Sequence, residues 1–271
     1  MLEKESKKKQ PSYLFDHFDF GVMMSDLRFS RKARRTDRID TGKEVRLAGG
    51  GTTTLRQLAS NLPLMLVTGS LSCPMTVSAL PFLRELYAAS GQQFAFALVY
   101  VREAHPGESY PQAKQQDEKR ANAERFRDFY QLDMPVIVDD IDGSLHRTLD
   151  TKPNSLHIIS ADGDILFQSL WSGDFDAVRQ ALIDIAAGRP PQRTVSQKML
   201  MPFLRGAGYM HQTLNLAGKR AYRELLLGAP PIWLLSRIAG ALSMVSQSKR
   251  GLVAMAIMIF IALLIVLPIV L

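Results

Sequence analysis

Pro63-Leu64-Met65-Leu66-Val67-Thr68-Gly69-Ser70-Leu71-Ser72-Cys73-Pro74-Met75-Thr76 reads as a buried strand that turns through glycine and serine into a helix, and it carries the chain's one cysteine at the turn. Leu64 to Val67 is a short continuous apolar run bounded by turn residues, the pattern of a strand covered on both faces. Pro74 suits the first helical position, where a missing N–H costs nothing and the fixed φ is already helical. The helix is expected to run to Ser90. A thiol just before the first turn faces unpaired backbone N–H groups and the positive end of the helix dipole, which is expected to bring its pKa to about 7.5 or lower. A lone cysteine is also at home as inert core packing. Its place between strand, proline and helix points to a nucleophile instead.

Outward from this stretch, strand and helix signals alternate. Strands are expected over Leu64 to Thr68, Phe94 to Val101, Pro135 to Asp139, Leu156 to Ser160 and Ile165 to Ser169, the last two joined by the turn Ala161-Asp162-Gly163-Asp164. Helices are expected over Pro74 to Ser90, Gln116 to Leu132 and Asp174 to Ala187. Strand, helix, strand, helix, strand, then a hairpin and a closing helix is the order of an α/β thioredoxin-like fold, a central mixed sheet flanked by helices. Residues 41–187 suffice for one such core. Residues 1–40 read as a polar and basic leader, loosely packed, with the basic run Arg31-Lys32-Ala33-Arg34-Arg35.

Gly188-Arg189-Pro190-Pro191 ends the last helix of the domain, and residues 188–250 form a basic, amphipathic region. Within it, Ile232 to Val245 is too short and too interrupted by Arg237 to span, and reads as an interfacial helix with Trp233 at headgroup level. Gly251 to Leu271 contains no charged residue, and at about 1.5 Å per residue it reaches the roughly 30 Å of a hydrocarbon core. It is expected to be a single C-terminal transmembrane anchor, with the domain on the side of Lys249 and Arg250 and therefore cytoplasmic. The first residues lack an apolar core of signal-peptide length, so export is not expected.

Charge follows the same division. The formal charge of +7 comes from +9 over residues 188–250, where ten Lys and Arg face the single acid Glu224, and −2 over residues 1–187. Basic residues beside a span are expected to meet anionic lipid headgroups, at about 1 kcal/mol each. Nucleic acid is not an expected partner, because no recognition motif accompanies the basic residues. One cysteine allows no internal disulfide and agrees with a reducing compartment.

Thr76 stands where a Cys-x-x-Cys reductase has its second cysteine, so Cys73 works alone and an outside thiol must resolve any intermediate. Ser70 lies three residues ahead of Cys73, as a hydroxyl does in peroxiredoxins, but that motif's proline falls at Leu66. A wider resemblance covers residues 60–185. Gly69-Ser70-Leu71-Ser72-Cys73-Pro74 resembles the Gly-Ser-Cys-Thr-Sec-Pro motif of the iodothyronine deiodinases, with Cys73 in the selenocysteine position. Val99-Tyr100-Val101-Arg102-Glu103-Ala104-His105-Pro106 is similar to that family's Tyr-Ile-Glu-Glu-Ala-His-Pro. Val138 to Gly143 and Pro153 to Ile159 resemble its later strands. Leu71 replaces the family's second cysteine, and Pro111-Gln112-Ala113 lacks the histidine of its Pro-Gln-His.

The resemblance implies a redox enzyme, and strand order agrees: the ends of neighbouring strands converge on one crevice at the carboxyl edge of an open α/β sheet. Cys73 is expected to attack a disulfide, peroxide or halogenated substrate. His105 is expected to act as acid or base, and Glu103 to orient its imidazole. No bound cofactor is expected, only an external reductant of glutathione or thioredoxin type. The rival readings are a one-cysteine peroxiredoxin-like peroxidase and a non-catalytic interaction module that keeps the fold. His157 reads as a core residue, and His17, His146 and His211 have no supporting context.

Overall fold

The computed structural model describes residues 13–28 and 38–270. The basic run Arg31 to Arg35 lies outside them. Asp19 accepts a hydrogen bond from the Val22 N–H and so caps α1 (Phe20–Leu27). Next come β1 (Glu44–Leu47) and β2 (Thr52–Thr54), joined through Gly50 and Gly51 at φ values of 91° and 77°, which glycine adopts without a Cβ penalty. Thr54 and Gln57 form a capping box for α2 (Leu55–Ala59). Then follow β3 (Leu64–Gly69), α3 (Pro74–Ser90), β4 (Ala95–Tyr100), α4 (Gln116–Phe129), β5 (Val136–Val138), α5 (Ser144–Leu149), the hairpin of β6 (Leu156–Ile159) and β7 (Ile165–Ser169), α6 (Phe175–Ala186) and β8 (Val195–Ser196).

These strands make one eight-stranded sheet in the order β2-β1-β5-β4-β3-β6-β7-β8. β3, β4 and β5 run parallel, while β6 is antiparallel to β3 and β7 to β6. The unit β3-α3-β4 followed by the hairpin β6-β7 and α6, in the spatial order β4-β3-β6-β7, is the thioredoxin-like arrangement. The alternation of side chains along each strand gives the sheet two apolar faces. Met65, Val67, Phe96 and Leu98 pack under α3, α4 and α6, and Leu64, Leu66, Ala97 and Val99 pack under α2 and α5.

Four helices follow: α7 (Leu200–Ala217), α8 (Lys219–Gly228), α9 (Pro230–Ala241) and α10 (Gln247–Val270). They lie against the sheet domain, and α7 touches both α3 and α10. Three glycines make this possible. A Cβ at Gly206 would lie 2.4 Å from Met75 Sδ, one at Gly208 would lie 2.1 Å from the Gln247 carbonyl, and one at Gly251 would lie 1.9 Å from the Leu204 carbonyl. Among the described residues α10 is the one helix long and apolar enough to cross a membrane. Ala254 packs with Ala207, Leu235 and Ala239, whereas Ile259 to Val266 are uncovered.

Candidate active site

β3 and β4 end side by side. Gly69 is paired with Tyr100, and the Val101 N–H donates to the Gly69 carbonyl at 2.9 Å. Gly69 leaves no space for a side chain, since a Cβ there would meet Thr76 Cγ2 at 2.5 Å. The loop after β3 and the loop after β4 are tied to each other. The Glu103 carboxylate accepts from the Ser72 N–H at 3.0 Å, from the Ser72 hydroxyl and from the Tyr100 hydroxyl. Ser72 Oγ in turn accepts the His105 N–H at 3.1 Å, and Ser70 Oγ accepts the Ala104 N–H at 3.3 Å. Gln112 Oε1 accepts the Glu103 N–H at 2.8 Å.

Glu103 is therefore a tie between loops. Its carboxylate is occupied by Ser72 and Tyr100 and is not the group that orients the His105 imidazole, whose Nδ1 is buried without a hydrogen-bond partner. Burial pushes the Glu103 carboxyl up, and the Ser72 and Tyr100 donors pull it back. Glu103→Gln turns an amide NH₂ toward three donors, so we expect it to cost about 2 kcal/mol in chemical denaturation of the full-length protein in detergent. A loss below about 0.5 kcal/mol would show that the carboxylate does not hold the loops together.

Cys73 occupies the N-cap of α3 and is buried. Burial pushes its thiol up to about 11, against the opposing pull of the Thr76 hydroxyl and the Thr76 and Met75 N–H groups, while the Asp26 carboxylate adds to the rise. The low value expected from the helix terminus is thus reversed, because desolvation in this closed site outweighs the dipole. Burial likewise holds the His105 imidazole down to about 4, so it is neutral at physiological pH.

Cys73 and His105 face the same cavity of about 60 Å³. Trp171 lines it too, with an Nε1 that is buried and unpartnered. The roof comes from the N-terminal strap, residues 13–28, which the sequence reads as leader. Phe18, Met23, Asp26 and Leu27 line the cavity, and the Phe18 ring lies 4.3 Å from that of His105. The strap is tied down at three points. Asp26 pairs with Arg102 at 2.8 Å in a buried ion pair, the Phe15 ring lies 4.6 Å from the same guanidinium, and the Tyr13 hydroxyl meets His146 Nδ1 at 2.9 Å. The floor on the opposite side comes from α7, α8 and α9 through Phe203, Met210, Leu225 and Ile232.

His157 is buried on β6 and does not line the cavity, nor do His17, His146 or His211. Among the described residues no group of three or more His, Cys, Asp or Glu could hold a metal ion. Asp26, Arg102 and Trp171 belong to the site although the sequence does not single them out. The signal for Asp26 is one acid within the otherwise apolar stretch Val22 to Leu27, and for Trp171 a bulky aromatic in the turn that follows the hairpin.

No family model matches the chain, and no curated protein matches it in sequence. Among solved structures it is similar to an uncharacterized conserved protein from Geobacillus kaustophilus, at 14% identity over 60% of this chain and 90% of that one, with a TM-score of 0.48. It is also similar to the exposed lipoprotein thioredoxin Etrx1 of Streptococcus pneumoniae, at 21% identity over 52% of this chain and 97% of that one, with a TM-score of 0.39. A third is the peroxidoxin BcpB of Mycobacterium tuberculosis, at 17% identity over 57% of this chain and 97% of that one, with a TM-score of 0.40. The thioredoxin-like assignment rests on strand order and connections rather than on these likenesses.

Proposed function

We propose that the chain is a membrane-anchored thiol oxidoreductase in which Cys73 is the nucleophile. The observation that carries this reading is the thiol at the start of α3, opening onto a cavity shared with His105 and otherwise nearly free of polar groups. A structural cysteine would be packed against side chains and would need neither the space nor the imidazole. The neutral imidazole is suited to move a proton at the leaving group. With no second cysteine in the chain, the oxidised sulfur is returned by an external thiol of glutathione or thioredoxin type.

The deiodinase resemblance raises halogen transfer as a further reaction. The closed cavity disfavours it, because about 150 Å³ is needed to take a benzene-sized ring. Electrophilic S–S or O–O bonds are the better fit. Incubating full-length protein in liposomes with thiol and a mixed disulfide, a peroxide or an iodinated phenol, and following thiol consumption, tests the reading. No turnover with any of the three would leave a non-catalytic thioredoxin-fold module at the membrane.

Anchoring is supported by the uncovered apolar length of α10 and by Lys249 and Arg250 ahead of it, which favour a cytoplasmic domain and contact with anionic headgroups. Deleting residues 251–271 is expected to convert carbonate-resistant protein into a peripheral form released by salt, since only electrostatic attraction and exposed apolar side chains then remain. Full-length protein in the soluble fraction, or a domain protected from protease on the cytoplasmic side, would overturn the anchor or its orientation.

A further inference from the structure

We infer that the substrate of this site is an apolar hydroperoxide that reaches Cys73 from the lipid phase, between the N-terminal strap and helices α7 to α9. The inference rests on the reading that Cys73 turns over, and it adds the class of substrate and its route.

Three features of the cavity select the head group. Its walls are carbon and sulfur: Phe18, Leu27, Met75, Phe203, Met210 and Ile232. Its one carboxylate, Asp26, is spent on Arg102. Two polar atoms face this apolar space with no partner, Trp171 Nε1 and His105 Nδ1, on side chains of residues only 2% and 7% exposed. An indole N–H can only donate, and a nitrogen of a neutral imidazole can accept. A hydroperoxide R–O–O–H satisfies both, with an oxygen to accept from the indole and an O–H to donate to the imidazole. A disulfide has no donor to offer. The volume of about 60 Å³ admits a peroxy group with the start of its chain but neither an aromatic ring nor a peptide.

Position selects the source. Met75 of the cavity wall touches Gly206 of α7, and Gly208, two residues on, touches the start of α10 at Gln247. About 20 residues span a hydrocarbon core, so a span ending at Val270 begins at Gly251, the residue pressed on the Leu204 carbonyl of α7. The cavity floor is thereby brought to the edge of the bilayer. The rim carries exposed apolar side chains on the strap and on α8, Phe20 at 59% and Leu227 at 72%, and Gly228 abuts Asp19 and Phe20 at 3.4 Å. Lys219, Arg220 and Arg223 of α8 suit the same surface to headgroup phosphates.

The reaction balances without a cofactor. The Cys73 sulfur attacks the terminal peroxide oxygen, the S–O bond forms as O–O breaks, and the departing alkoxide takes the thiol proton, by way of His105, to leave an alcohol. Sulfur is oxidised by two electrons to a sulfenic acid and the peroxide is reduced by two. One external thiol then forms a mixed disulfide and releases water, and a second restores Cys73 and leaves as the disulfide.

The test places the full-length protein in phosphatidylcholine and phosphatidylglycerol vesicles. Cys73 sulfenic acid is trapped with dimedone and its initial rate read by mass spectrometry, with phosphatidylcholine hydroperoxide in the bilayer or hydrogen peroxide in the water at equal total concentration. We expect at least tenfold faster trapping with the lipid hydroperoxide, and a fall of about tenfold in that rate for Trp171→Phe. Equal rates for the two peroxides in wild-type protein would overturn the lipid route, and an unchanged rate in Trp171→Phe would overturn the hydrogen-bonding assignment. Reaction with a mixed disulfide but with neither peroxide would overturn the inference and leave the thiol oxidoreductase standing. Silence with every electrophile would remove both.

Discussion

Replacing Cys73 with serine is expected to lower thiol-dependent turnover by about 10³-fold or more, whichever electrophile proves active. The hydroxyl keeps the size and the N-cap position but is far harder to ionise than even a buried thiol, and it cannot pass through a sulfenic acid or a mixed disulfide. No other sulfur nucleophile of this kind exists in the chain to take over. His105→Ala should reduce turnover less, by about 10²-fold, because the imidazole assists proton transfer while the bond to sulfur can still form. Both are read as rates of thiol consumption by the full-length protein in vesicles. Wild-type rates in Cys73→Ser would end the catalytic reading, and wild-type rates in His105→Ala alone would leave the thiol acting without the imidazole.

The elements that position this chemistry are the ones the sequence states in local terms. Leu64 to Thr76 and Tyr100 to His105 carry their own strand, turn and helix signals, and the register Gly69 opposite Tyr100 follows once the two strands are parallel neighbours. What was not legible depends on contacts distant in sequence. β1 and β2 are edge strands of four and three residues, too short to show a period, and they are defined by pairing with β5 and with each other. α1 looks like part of a polar leader because its apolar face is short. Its place is decided by Arg102, 76 residues away. The same distance explains the reversal at Cys73. The dipole of α3 is local and readable, whereas the desolvation that overrides it comes from Leu27, Met23 and Phe18 of the strap and from α7 to α9. Glu103 shows a similar limit, since its nearness to His105 in sequence suggests a catalytic pair, yet the Ser72 hydroxyl and the Tyr100 hydroxyl reach its carboxylate.

The strap also sets the reactivity of the thiol, and Asp26→Ala is the change that separates the two. Removing the carboxylate leaves the Arg102 guanidinium buried with only a long contact to the Thr151 carbonyl, at 3.4 Å. An uncompensated buried charge of this kind costs about 3–5 kcal/mol, enough to favour an undocked α1 over a docked one while the sheet domain stays folded. Opening the roof lets water reach Cys73, and losing the Asp26 charge acts in the same direction, so the thiol is expected to fall from about 11 toward its ordinary 9.0. Two pH units correspond to about 10²-fold more thiolate at neutral pH, and alkylation by iodoacetamide at pH 7 should rise by about that factor. Its pH midpoint should move down with it. The linkage has a definite sign. A thiol that ionises near 11 in the closed state and near 9.0 when open contributes stability to closure that is full below pH 9 and is lost as pH rises through 11. Alkaline pH should therefore loosen the strap in the wild type, seen as protease sensitivity within residues 13–28, with a weaker pH dependence in Asp26→Ala. Equal alkylation rates at pH 7 in the two proteins would mean that the strap does not control access to Cys73, and a wild-type midpoint near 9 would mean that the site is open in solution.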